Sequence, residues 1–389
     1  MRWSRRSGTR PRTRPPTGTG NPSKPSTPWP GATPPAGRRG TRTIKSGRCL
    51  PYRKDPRVTA DLLKRARTLA DDVLYPAADR VDAEEAFPPG HFEPLAEAGL
   101  YGIAAPPEAG GPEELDLAGF ARVVEVVASG CLATAFVWLQ HHGAVRAAAA
   151  SERPGIRENW LQPLATGRRR AGLALAGQLP GEPRLRAEAV AGGYRLTGAS
   201  PFVTGWGLVD TLYAAARDAD DRIVWMFLDA AEGDGLSAQP LPLSAVDAAR
   251  TAELRFDGLY VPEERVTGTL PYADWPARDA QGLRTNGSLS LGLASRCGTL
   301  LGIGTGDTDP ELDACRRALD MADAEAMAAA RADAAALALR RAAAVVVARG
   351  ASSVLRGRPG QRLLREAGFL QVFGTRAAIK EELLARWMP

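Results

Sequence analysis

The chain has 389 residues, with 50 Lys and Arg against 44 Asp and Glu, a formal charge of +6. That charge is unevenly placed: residues 1–54 hold 11 Arg, 3 Lys and no acid, which leaves 36 basic against 44 acidic side chains for the rest. A mildly acidic body argues against a folded polyanion-binding face, and no window reaches the roughly 18–20 uncharged apolar residues of a membrane span.

Residues 1–54 carry 10 Pro and 7 Gly and almost no aliphatic side chains. Such a segment cannot bury enough apolar surface to offset chain entropy, so the expectation is a disordered basic tail. Its Arg-rich, acid-poor composition fits a transit peptide, but ten prolines oppose the amphipathic helix that role needs. A charged tether and a mis-assigned translation start are the other readings, and the start is favoured. No secretory apolar stretch is present. Cys49, Cys131, Cys297 and Cys315, with His91, His141 and His142, have no ligand-like spacing. Reduced thiols in a cytoplasmic protein without a metal site are expected.

Residues 55–168 read as an N-terminal helical domain. Leu62, Leu63, Ala66, Leu69, Ala70, Val73 and Leu74 form one stripe over 58–76, with Pro76 as the expected stop. A second helix is expected over 88–100, then a Pro/Gly loop, then two largely apolar helices within 115–148 broken around Ser129-Gly130. Residues 169–275 change texture. Short alternating runs separated by turns, with a hairpin signal at Gly192-Gly193, predict an antiparallel β-barrel or sandwich. Residues 276–389 return to helical period as a C-terminal bundle: a short helix near 286–301, one long Ala-rich helix over 309–349 with Asp309 as N-cap and Gly350 as stop, and two more over 360–371 and 376–387. The fold class is α+β.

Five strings occur in one order: FPPGHFEPLAEAGLYGIAAPPEAGG, LTGASPFVTGWGLVD, ELRFDGLYVPEERVTG, GLASR and RLLREAGFLQVFGTRAAI. Together they resemble the acyl-CoA dehydrogenase family over about residues 58–389. The resemblance implies FAD between the middle domain and the bundle, a small-molecule acyl thioester as ligand, and a homo-oligomer or paired subunit, with no nucleic-acid or membrane partner. It also implies an oxidoreductase acting on a CH–CH group. Phe202-Val203-Thr204-Gly205 matches the family's flavin segment Trp-Ile-Thr-Asn, which would put Phe202 at the ring wall and Thr204 at the N5/O4 edge. Gln178 would offer an amide to the pyrimidine edge, or else is a solvated strand end. Gly350 falls in the family's Gln-x-x-Gly-Gly segment, here without its Gln, and the Arg-x-x-Phe-Gly phosphate segment is missing.

The reaction of the family needs a buried carboxylate to take an α-proton. Its position follows Arg365-Glu366-Ala367 and Val372-Phe373 and falls on Gly374. The position used by some relatives, on the first bundle helix, falls on Gly282. Neither glycine is an acid or base. Asp279, Glu366 and Glu381 lie nearby in sequence and read as solvated charges. Thr134, Trp138 and His142, spaced i, i+4, i+8, would line the end of the acyl tunnel and shorten it for a compact ligand. Equally, Phe136, Trp138 and Leu139 read as core packing. Three functions stay open: an acyl-CoA dehydrogenase-like oxidoreductase acting on a short or compact thioester, a flavin monooxygenase on the same fold, and a catalytically silent homologue or partner subunit.

Overall fold

The computed structural model describes residues 56–304 and 308–388; the expectations for the basic tail lie outside the described residues. Helix α1 (Pro56–Leu69) buries the predicted stripe through Leu62, Ala66 and Leu69. Pro76 does not stop it. Ala70–Leu74 form one π turn, and α2 (Tyr75–Glu84) continues from it with Pro76 as its second residue. The helix expected over 88–100 shrinks to α3 (Glu93–Glu97). Helix α4 (Leu117–Gly130) is capped by Asp116, whose carboxylate accepts from the Gly119 amide at 2.8 Å. Extended backbone at Cys131 separates it from α5 (Leu132–Ala150). A short α6 (Gln162–Ala165) leads into the sheet.

The strands are β1 (Ala171–Ala174), β2 (Leu185–Val190), β3 (Gly193–Val203), β4 (Thr211–Arg217), β5 (Arg222–Asp229), β6 (Leu236–Pro240), β7 (Ala252–Pro262) and β8 (Val266–Pro271). They form one sheet in the order β6-β7-β3-β2-β4-β5-β8, with β1 beside β4. The hairpin expected around Gly192-Gly193 forms between β2 and β3, with Ala191-Gly192 as the turn and Gly193 opening β3 opposite Val190. The wholly antiparallel expectation needs correcting, because β1 and β2 both pair with β4 in parallel. Helix α5 packs on β1, so the sheet and the N-terminal helices share a core.

The first bundle helix, expected near 286–301, begins earlier and is longer: α7 (Trp275–Leu300). The single helix expected over 309–349 is two: α8 (Pro310–Met321) and α9 (Met327–Arg349). Asp309 caps the first, accepting from the Leu312 amide at 3.1 Å, and Asp323 caps the second, accepting from the Ala326 amide at 2.9 Å. Helices α10 (Pro359–Leu370) and α11 (Ala377–Trp387) pack on α9. Helix α7 also crosses α4 very closely. A Cβ on Gly292 would stand 2.3 Å from the Glu125 carbonyl oxygen, so only glycine allows the approach. No described helix is long and apolar enough to cross a membrane.

Candidate functional site

Strand β3 ends irregularly. Its register with β7 shifts between Ser200 and Val203, and the shift turns Phe202 outward at φ 54° with 69 % of its surface exposed. A bulky residue in the left-handed region is strained, and a bulge at a strand end re-aims a side chain. Val203 and Thr204 are buried behind it, and the Thr204 hydroxyl has no hydrogen-bond partner among the described residues. Gly205 supplies φ 89° for the turn. Its amide donates to the Ala249 carbonyl at 2.8 Å and the Trp206 amide to that of Arg250 at 3.1 Å, which ties the turn to the loop before β7.

The turn rests on α5. A Cβ on Gly205 would lie 3.6 Å from Val137 Cγ1. One residue earlier, Phe136 meets Phe369 of α10 and Phe373 of the loop after it edge-on, with ring centroids 5.1 and 4.9 Å apart. Helix α5 thus connects the Phe202–Gly205 turn to the loop that holds Gly374. That loop is pinned at several points. Gln371 Nε2 donates to the Ala335 and Ala367 carbonyls at 3.0 and 2.9 Å, and Arg376 holds Asp279 of α7 through two bonds of 2.7 and 2.8 Å. Arg331 of α9 donates to the Phe373 carbonyl at 3.3 Å. Its guanidinium is buried, its Nε and Nη1 have no partner among the described residues, and burial pulls its pKa down to about 10.

Gly374 has φ 61°, and a Cβ built on it would stand 2.6 Å from Asn286 Nδ2. The space where a side chain at 374 would project is therefore taken by the Asn286 carboxamide of α7. Gly282, the alternative position, lies one turn before Asn286 on α7 and is exposed. A Cβ there would come no closer than 4.0 Å to Asp279 Oδ1.

The other expected residues are distributed differently. Thr134, Trp138 and His142 do share a face of α5, but that face turns toward the N-terminal helices. The Thr134 hydroxyl pairs with His91 Nε2 at 2.8 Å, and His142 stacks edge-on against Trp138 and against Phe120 of α4. The packing reading describes Trp138, while Phe136 on the adjacent face meets the Gly374 loop. Burial holds His142 neutral, well below its ordinary pKa, and both its ring nitrogens lack partners among the described residues. Glu366 is not a solvated charge. It is buried against Arg362 at 3.1 and 3.2 Å, and Arg362 also binds Asp79 at 2.7 Å. Burial raises the Glu366 pKa against the pull of that guanidinium. Asp279 is held by Arg376, and Glu381 is exposed. Gln178 sits half-buried in a turn carried by buried Arg217, whose Nη2 donates to the Gly177 and Leu179 carbonyls at 3.2 and 2.7 Å. Gly350 ends α9 in the open, with nothing within 4 Å of a Cβ built on it.

Sequence reading missed Asn286, Arg331 and Arg217. Arg331 and Arg217 are cations in apolar segments, which is a usable signal of pairing or strain. Asn286 carried none.

Among known proteins, the acyl-CoA dehydrogenase N-terminal domain matches residues 59–168. Benzylmalonyl-CoA dehydrogenase of Aromatoleum aromaticum is 27 % identical over 200 residues, covering 50 % of this chain and 53 % of that protein. The chain spans about half the length of the curated relatives it matches first. Two solved structures share the fold. The glutaryl-coenzyme A dehydrogenase glutaryl-CoA complex has TM-score 0.74 and 18 % identity over 87 % of this chain and 97 % of that one. PigA with FAD and proline has TM-score 0.70 and 19 % identity over 87 % and 99 %. The chain thus has the fold of the acyl-CoA dehydrogenases and carries their N-terminal domain over residues 59–168, matches that support membership of the family.

Proposed function

We propose that the chain binds FAD along the Phe202–Gly205 turn and holds a compact acyl thioester between α5, α7 and the Gly374 loop, without a resident proton-abstracting carboxylate at position 374. The flavin, when bound, supplies a two-electron acceptor. The chain's own residues fit it in part. An exposed Phe202 in a strained turn offers a flat apolar wall, and the unpartnered Thr204 hydroxyl offers a donor beside it. Phe136, Phe369 and Phe373 would exclude water from the acyl group and limit its size.

One observation carries the reading: Gly374 lacks an acid–base group, has a backbone conformation that L side chains rarely adopt, and faces a space already filled by Asn286. A base must lie within hydrogen-bond reach of the proton it takes. Asp279, the carboxylate bound to the same loop, is engaged by Arg376. The resemblance also supports a homo-oligomer, which size-exclusion chromatography with light scattering reads directly.

The absorption spectrum of the purified protein, titrated with short acyl-CoAs under anaerobic conditions, tests the proposal. Flavin bands that shift on titration but do not bleach are expected. Rapid bleaching would overturn the missing-base part, and a colourless protein that takes up no FAD would overturn the cofactor part.

A further inference from the structure

The Asn286 carboxamide is half-buried and makes no hydrogen bond with any described residue. It sits on the helix face that also carries Asp279, seven residues earlier. Its amide points at the one place in the Gly374 loop where a side chain is missing, at 2.6 Å from an ideal Cβ. Two polar groups near it are committed, although Arg331 Nε and Nη1 have no partner among the described residues. Asp279 is bound by Arg376, and the Phe373 carbonyl accepts from Arg331. A half-buried amide without a partner forfeits hydrogen bonding unless a ligand or water supplies it.

We infer that Asn286 is the positioning residue that has replaced the catalytic base: its carboxamide hydrogen-bonds the acyl thioester near its α-carbon and holds it without removing a proton. This rests on the reading that the acyl group enters between α5, α7 and the Gly374 loop. A neutral carboxamide can donate and accept, which suits a thioester carbonyl or an α-substituent, but it has no basic site for a C–H proton. The same geometry makes the base position recoverable from α7 rather than from the loop. Asn286→Asp is nearly isosteric and leaves Gly374 untouched. Gly374→Glu instead forces a side chain onto a φ of 61° and into the Asn286 amide.

The test uses the full-length protein loaded with FAD, with butyryl-CoA in D2O as probe. Wild type should bind butyryl-CoA, read from the shift of the flavin bands, and show no deuterium at the α-carbon. Asn286→Asp should introduce α-exchange. In that variant the α C–H bond breaks as the new carboxylate takes the proton, the electron pair moves onto the thioester as an enolate, and a solvent deuteron returns by the reverse path. No oxidant is consumed. Asn286→Ala should bind butyryl-CoA roughly tenfold more weakly with FAD content unchanged, since one hydrogen bond near the ligand is lost. Two outcomes would overturn the inference: α-exchange by wild type, or an Asn286→Asp variant that binds butyryl-CoA as tightly as wild type and exchanges nothing. Wild type that binds FAD but no acyl-CoA of any length would instead overturn the underlying reading of the pocket, and the intact flavin spectrum tells the two failures apart.

Discussion

Helix α5 has two faces with opposite fates. On one, Trp138 and His142 go into the interior with Phe120, and three polar atoms there (Trp138 Nε1 and both His142 ring nitrogens) find no partner. On the other, Phe136 and Val137 meet the Gly374 loop and the Phe202–Gly205 turn. The first face is a packing surface that tolerates orphaned polar atoms. The second is a meeting point of three segments distant in sequence. Periodicity groups residues onto faces, yet it cannot say which face a sheet and a bundle will cover. That is why a sound i, i+4, i+8 argument selected the interior instead of the junction.

The division can be broken most forcefully at Trp138. Trp138→Ala should cost about 3–5 kcal/mol of unfolding free energy in urea, because a fully buried indole leaves a cavity. Flavin and acyl-CoA binding by the remaining folded protein should be unchanged. A loss below about 1 kcal/mol would place Trp138 in a yielding, ligand-facing wall instead.

Acid sharpens the same contrast. His141 and His142 are both kept neutral by burial, His141 down to about 3 and His142 well below its ordinary value. The unfolded chain takes up these protons near pH 6.5 and the native chain does not, so stability is full above that pH and is lost as pH falls. Each histidine should contribute a slope of up to about 1.4 kcal/mol per pH unit below pH 6.5. His142→Leu should remove one such slope and hold or raise stability at pH 7, since it deletes two unsatisfied nitrogens. Thermal unfolding from pH 7 to 4.5 checks it; an unchanged slope would mean His142 gains a partner.

On the junction side, Arg331 and Arg362 are both buried guanidiniums, but only Arg362 has carboxylate partners. Arg331→Met should therefore change stability by less than about 1 kcal/mol, with a gain expected, because it replaces an uncompensated buried cation with a side chain of similar length. A loss of about 3 kcal/mol or more in chemical denaturation would show that Arg331 has a strong partner in the native protein.

Much of the frame was legible. The Leu62–Ala66–Leu69 stripe, the hairpin at Gly192-Gly193 and the Asp309 cap each rest on short-range chemistry that the structure repeats. What escaped depended on context. Pro76 looks like a stop, yet a π turn before it lets the chain resume helix. The break between α8 and α9 hides in a run of alanines, whose helix propensity masks the Asp323 cap. In the candidate site, the glycine at 374 was readable because the flanking match through Arg365-Glu366-Ala367 and Val372-Phe373 sets the register. Its consequence was not, because Asn286 comes from 88 positions earlier in the chain. Close approach of a glycine to a side chain from a distant segment leaves no local trace.

The smallest expected change in stability falls at Phe202, the most exposed residue of the proposed site. Phe202 contributes little to the core at 69 % exposure, and its backbone already sits in a strained region. Phe202→Ser should alter unfolding free energy by no more than about 0.5 kcal/mol, the usual range for a surface substitution. Retention of a large exposed aromatic in a left-handed turn needs a reason outside folding, since such strain persists where surrounding structure enforces it for function. If the ring forms the wall for the isoalloxazine, Phe202→Ser should lose roughly tenfold or more in FAD affinity while the fold is untouched. Equal FAD content in both proteins after dialysis would remove Phe202 from the site and return the turn to simple sheet geometry. A stability loss without a change in FAD would do the same, by showing that the ring packs against the body of the protein. Only a binding defect without a folding defect keeps the outward face of β3 and the junction face of α5 as parts of one site.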